Sequence, residues 1–419
     1  MPKNIVVCCD GTGNEISENI SNVLKLYRTL QKTGKAGPEQ SVFYDPGVGT
    51  LARPDPWIKF KQDTKAVLGL ATGRGLDDNV LSSYRFLIDN YDDGDDIFLF
   101  GFSRGAYTVR VLAALIHRVG LLFRQQSNLA DQALAAYKQT PLRAEQETVE
   151  LRESATSQSE ADQALSIDDR AAQFARIVST RWPTIKFVGV WDTVASVIVP
   201  EFGKFPFFNL EDLAYSHSNP SVRVFRHAAS IDERRRLFRL LRWVEPQIFM
   251  DKRFGNMNNG KPQDIKQIWF AGVHADIGGG YAEKESAISK YPLIWMIEQA
   301  VEHGLAVDRD IVNHLAWGEG REGSPFRYVA PDLRKEIHNS LTPAWRVLEP
   351  LPKNDRYKEW PARHSFLGHY IPWAEPRKIP EKSFVHESVV RRIRERSDYR
   401  PINMPQEYQV AAIENIIHS

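Results

Sequence analysis

Two patterns of apolar and polar positions alternate along the chain. Ile5–Cys9, Val42–Tyr44, Ile97–Phe100, Ile185–Val190, Val222–Ala228 and Ile268–Val273 are short runs rich in β-branched and aromatic residues. Their length and bias are strand-like, and most lack the regular polar alternation of a half-exposed strand. Between them, Leu76–Tyr91 places Val80, Tyr84, Leu87 and Ile88 at helical spacing, and Ala106–Val119 does the same with Val109, Leu112, Ala113 and Ile116. Strands alternating with helices predict an α/β fold, with a mostly parallel central sheet and helices on both faces.

Other segments break this rhythm and read as insertions. Residues 51–72 crowd Pro54, Pro56, Trp57, Ile58 and Phe60 together, which suits a loop or lid. Residues 124–180 are rich in Gln, Glu and Ala and poor in β-branched residues, so they read as helical and exposed. Residues 197–215 bring Phe202, Phe205, Phe207 and Phe208 into one stretch, a candidate wall for an apolar substrate. After Ala306 the periodicity weakens into Pro-rich turns, with His386 in a later helical segment and a final helix expected over Gln406–His418. The organisation expected is one catalytic domain over 1–305 with these insertions, and a C-terminal extension over 306–419 packed on it.

Composition narrows the class of function. Lys and Arg number 54 against 53 Asp and Glu, a net charge of +1, so no strong field recruits nucleic acid. The 42% of hydrophobic residues is ordinary for a folded chain. The two cysteines, Cys8 and Cys9, are neighbours on one strand and point to opposite faces, which rules out a mutual disulfide and a Cys-based zinc site. The N-terminal apolar run is too short for a signal peptide, and there is no 18-residue apolar stretch. Cytoplasmic synthesis is the default expectation, compatible with export by a route that uses no signal peptide.

The chemistry concentrates at strand ends. The strand Ile97–Phe100 runs directly into Gly101-Phe102-Ser103-Arg104-Gly105 and then a helix, the strand–turn–helix context that a G-x-S-x-G nucleophile elbow requires. In that setting Ser103 is a nucleophile at a helix N-terminus, and the glycines let strand and helix approach closely. The strand Lys186–Trp191 ends at Asp192, the position of a triad acid, and Ile268–Val273 ends at His274, the position of the general base. Their order, 103, 192, 274, is that of an α/β-hydrolase. His227 and His386 rank behind His274 as bases. For the oxyanion, the backbone N–H of Arg104 is one expected donor, and Gly11 and Thr12 in the loop after the first strand are the others. That loop lacks a P-loop lysine, which disfavours nucleotide.

As a set, Cys9-Asp-Gly-Thr-Gly-Asn14, Gly101–Gly105, Val190-Trp-Asp-Thr-Val194, His227–Arg235 and Gly272–Tyr281 resemble the uncharacterised α/β-hydrolase domain shared by type VI secretion phospholipase effectors and many bacterial and fungal proteins. The resemblance covers roughly residues 3–300. It implies an α/β-hydrolase fold and a serine ester hydrolase with a Ser103–His274–Asp192 triad, an acyl-enzyme and a lipid or phospholipid ester as substrate. It leaves room for transient contact with a membrane surface and says nothing of protein partners. No cofactor and no metal is needed for that chemistry. Two other classes remain open: a metal-dependent phosphoesterase built on Asp10, Asp192, His274 and Asp276, and a non-catalytic binding module. The charged run Asp232–Arg236 reads as a surface turn whose charges pair with one another or with solvent.

Overall fold

The computed structural model describes residues 2–11, 19–32, 38–47, 74–139, 170–194, 198–200, 208–210, 213, 216–251, 260–346, 349–350, 352–355, 358–361 and 363–413. Its centre is an eight-stranded sheet. In chain order the strands are β1 (Asn4–Cys9), β2 (Gln40–Asp45), β3 (Asp96–Phe102), β4 (Ile185–Trp191), β5 (Val222–Ser230), β6 (Asp264–Phe270), β7 (Phe384–His386) and β8 (Gln409–Ala411). They lie in the order β8-β7-β6-β5-β4-β3-β1-β2, every neighbouring pair parallel.

Both faces are covered, as the continuous apolar strands require. Along β1 the side chains alternate: Ile5, Val7 and Cys9 enter one core cluster, and Val6 and Cys8 enter the other. The first cluster is closed by α2 (Arg74–Asn90), α3 (Arg104–Val119) and α4 (Ala130–Lys138). The second is closed by α1 (Asn22–Thr29) and α7 (Lys290–Glu302). Both cysteines are buried and free, in keeping with their opposite orientations. Within the stretch read as helical and exposed, α4 and α5 (Arg170–Val178) are helices, while 140–169 lies outside the described residues.

The topology locates the site. From β1 the chain steps outward to β2, then returns to the other side of β1 for β3 and continues away through β4 to β8. A crevice at the carboxyl ends of the strands, where the order reverses, is where open α/β sheets bind ligands. That reversal lies between β1 and β3, whose exits lead to Asp10 and Ser103.

The C-terminal region differs from the expectation. Gln409–Ala411 is a strand, not part of a final helix, because the open edge of β7 supplies parallel hydrogen-bonding partners to it. His386 likewise ends β7 and caps the helix α8 (Glu387–Glu395) by accepting the Ser388 N–H. The sheet thus runs on past residue 306, and Ile379, Val385, Val389 and Tyr399 share a core cluster with Ala229 and Trp269.

Candidate active site

Ser103 sits between the last residue of β3 and the first of α3 with φ 57° and ψ −121°, a conformation rarely adopted by residues with a side chain. The close approach that holds it there is measurable. A Cβ on Gly105 would stand 2.1 Å from the Cys9 carbonyl oxygen and 2.5 Å from that of Asp10, so α3 starts directly against the end of β1. Gly105→Ala is therefore expected to cost about 1–3 kcal/mol through overpacking. The obstacle is backbone, which places the loss at the upper end of that range. An unchanged midpoint in urea denaturation would contradict this contact.

Three side chains from three strand ends meet. Asp192, at φ 43° just past β4, is fully buried. His274 opens the short helix α6 (His274–Gly278) just beyond β6. Its Nδ1 lies 2.5 Å from Asp192 Oδ2, and its Nε2 lies 2.8 Å from Ser103 Oγ. A carboxylate only accepts, so Nδ1 carries the proton and Nε2 accepts from the serine hydroxyl. The ring is held from two sides, by Phe102 at 4.7 Å and, edge-on, by Phe238 at 4.9 Å between centroids. Burial pulls the imidazole below its ordinary pKa, and Asp192 offsets this only in part. Burial also pushes the Asp192 carboxyl up, but the Arg377 guanidinium and His274 outweigh it and hold the group well below the usual carboxylate range.

Three further residues, Arg377, Ser230 and Glu233, complete this constellation. Arg377, from the C-terminal region, meets Asp192 through both ends of its fork, Nη1 to Oδ1 at 2.5 Å and Nη2 to Oδ2 at 3.0 Å. Ser230 N–H adds a further donor to Asp192 Oδ1 at 2.9 Å. Glu233 accepts the His274 backbone N–H at 3.2 Å and binds the Arg235 guanidinium through both of its oxygens. The run Asp232–Arg236 is thus only partly the surface turn expected. Glu233 and Arg235 do pair, but Glu233 is completely buried beneath His274. Burial pushes the Glu233 carboxyl up, yet Arg235 more than reverses this and holds it at about 2.

His227 is buried behind Asp192, its Nε2 accepting from Thr193 N–H, and burial and Arg110 lower it to about 3. Gly11, expected as an oxyanion donor, gives its N–H to Asp10 Oδ1 at 2.7 Å, because the buried Asp10 carboxylate draws in nearby donors, Tyr44 Oη–H and Ser21 Oγ–H among them. Thr12 lies outside the described residues, as do Phe202, Phe205 and Phe207, along with the whole of 51–72. Ile198–Pro200 and Phe208–Leu210 form an antiparallel pair flanking those phenylalanines. Arg104 begins α3, so its backbone N–H stands beside Ser103; the residue is 8% exposed and its Nη2 has no hydrogen-bond partner. Burial lowers that guanidinium to about 10.

The donors of the metal reading do not converge. Asp192 faces Arg377 and His274, while the Asp276 carboxylate accepts from Val273 N–H and from His338 Nδ1 at 2.6 Å. Among the described residues no group of three or more His, Cys, Asp or Glu is placed to hold a metal ion.

Comparison with known proteins adds a family. The model described as "T6SS, Phospholipase effector Tle1-like, catalytic domain" matches residues 3–299. A Saccharomyces cerevisiae protein described as uncharacterized protein YEL023C is 30% identical over 258 residues, 60% of this chain and 34% of that protein. The chain therefore spans about a third of the length of the curated relative it matches. Among solved structures, an uncharacterized protein from Pseudomonas aeruginosa aligns over 73% of this chain and 46% of its own, at 17% identity and a TM-score of 0.33. The Tle1 effector bound to the VgrG spike of the type 6 secretion system aligns over 69% and 53%, at 15% identity and a TM-score of 0.28.

Proposed function

The chain belongs to the family of Tle1-like phospholipase effector catalytic domains, and from that premise we propose that it is a lipid ester hydrolase working through Ser103, His274 and Asp192. The observation that carries this reading is the unbroken line of hydrogen bonds from Ser103 Oγ through His274 to Asp192 at the reversal point of the sheet. Ser103 attacks the ester carbonyl while His274 Nε2 takes its proton, and Asp192 keeps the proton on Nδ1 and stabilises the imidazolium that forms. The first N–H groups of α3, that of Arg104 foremost, stabilise the oxyanion with the positive end of the helix. His274 returns the proton to the leaving alcohol, and water then releases the acid from the acyl-enzyme by the same route.

Arg104 supports an anionic lipid over a neutral one. A buried cation with an unsatisfied donor is costly, and a lipid phosphate that reached Arg104 Nη2 would satisfy it. No helix among the described residues is long and apolar enough to cross a membrane, so access to lipid would be from a surface.

The test compares fatty-acid release from phosphatidylglycerol vesicles and from diacylglycerol of the same acyl composition. We expect the phospholipid to be cleaved faster, Arg104→Gln to narrow the difference roughly tenfold or more at about 1.5–3 kcal/mol for a charge-assisted hydrogen bond, and a fluorophosphonate to label Ser103 and abolish both activities. Cleavage that survives complete labelling of Ser103 would overturn the assignment of the nucleophile. Equal rates on both lipids, unaffected at Arg104, would overturn the anionic preference.

A further inference from the structure

We infer that Arg377 is a positioning residue of this site: its fork holds Asp192 ionised and oriented toward His274, and its charge sets the pH at which His274 becomes a base. The inference rests on the Ser103–His274–Asp192 reading and extends it to a residue beyond the segment that the family model matches.

Asp192 has no exposed surface, and a carboxylate in such a place, facing only a neutral imidazole, is driven toward its protonated form. A protonated Asp192 could neither fix the His274 tautomer nor stabilise an imidazolium. The bidentate contact with Arg377 removes that tendency, because two parallel charge-assisted hydrogen bonds fix both the charge and the plane of the carboxylate. The same guanidinium is anchored independently: Nη1 donates to the Ser230 carbonyl at 3.2 Å, and Nε donates to the Phe238 carbonyl at 3.1 Å. Phe238 is also the residue whose ring packs edge-on against His274. One side chain therefore ties together the acid, the strand that follows it in the sheet and the wall of the base.

The charges around His274 give the sign. Asp192 favours the imidazolium, and Arg377 directly behind Asp192 opposes it. Glu233 beneath the backbone of His274 is matched by Arg235. On α6 itself Asp276 is matched by His338, and His227 behind Asp192 is held neutral by burial. Arg377 is the cation in direct contact with the acid. Removing its charge raises the pKa of both Asp192 and His274, and each change moves the acidic limb of activity to higher pH.

The experiment measures the second-order rate of labelling of Ser103 by a fluorophosphonate against pH, which reports the neutral base whatever the natural substrate. In the wild type the acidic limb is expected below the ordinary His value of about 6.5. In Arg377→Met it should move up by about one unit or more, the range of a lost opposite charge. Arg377→Lys, which keeps the charge but not the fork, should leave the limb in place and lower the plateau. A cavity of about 400 Å³ lined by Leu240, Arg242, Trp269, Glu359, Arg377 and Lys378 adjoins this side chain, and truncation at Arg377 would extend it toward Asp192. Arg377→Ala purified with methylguanidine should therefore regain rate and limb position as methylguanidine is added. A folded Arg377→Met with an unmoved limb overturns the proposal; should that variant not fold, so does an Arg377→Ala whose rate and limb ignore methylguanidine. In either failure Ser103 is still labelled, whereas failure of the triad reading itself leaves Ser103 unlabelled in the wild type.

Discussion

Ser103→Ala should lower ester hydrolysis by three or more decades while leaving the fold essentially unchanged. The size of the activity loss follows from the role: without Oγ there is no acyl-enzyme, and what remains is binding and the helix N-terminus. The small structural cost follows from the contacts. Oγ makes no helix-capping bond and among the described residues it bonds His274 Nε2, so alanine strands no buried polar group there other than an imidazole nitrogen. The strained φ at this position is carried equally by serine and alanine, so it adds no difference. A stability change within about 1 kcal/mol is expected. His274→Ala should fall to a similar rate, and the double variant should be little slower than either single one, because the two groups act as a unit. Near-full hydrolysis of any ester by Ser103→Ala, measured as fatty-acid release, would end the serine mechanism.

Ser103, Asp192 and His274 stand out in the sequence as candidates because each is announced locally. Ser103 stands in a five-position motif between a strand and a helix, and Asp192 and His274 directly follow, or nearly follow, the ends of apolar runs. What escaped is what depends on distant chain. Arg377 lies 185 positions from Asp192 in a segment of prolines and turns, with no periodicity to distinguish it from a surface arginine. Glu233 lies in a charged run that reads as a surface turn, yet its burial comes from the turn of α6 folding over it and from Ser340, whose hydroxyl donates to it. The strands β7 and β8 are three residues each, too short to show a period of two, and β8 exists because an edge was available to pair with. His386 looked like a candidate base, but at the end of β7 its Nδ1 serves as a helix cap.

Asp192→Asn should be damaging in both activity and stability, which separates the acid from the nucleophile. Asparagine keeps the shape but has one accepting oxygen and one donating nitrogen. If the oxygen stays with Arg377, the amide N–H₂ faces His274 Nδ1 and forces the ring into the tautomer with its proton on Nε2. That nitrogen then no longer accepts from Ser103, and a loss of about four decades in kcat is expected by analogy with other triads. The fold suffers as well, because the Arg377 guanidinium, 1% exposed, loses its counter-charge. Breaking one half of a buried ion pair costs about 3–5 kcal/mol, so the variant should melt well below the wild type. The pH dependence of that difference has a definite sign. The folded-state pKa of Asp192 is depressed, so the stability it contributes is fully present above the unfolded value of about 3.9 and is lost as pH falls below it toward the folded value. The gap between wild type and Asp192→Asn in urea denaturation should therefore be constant from neutral pH down to about 5 and shrink below about 4. An Asn variant that hydrolyses ester within tenfold of the wild type, or one whose stability gap is unchanged at pH 3, would show that Asp192 is not the ionised acid its surroundings make it.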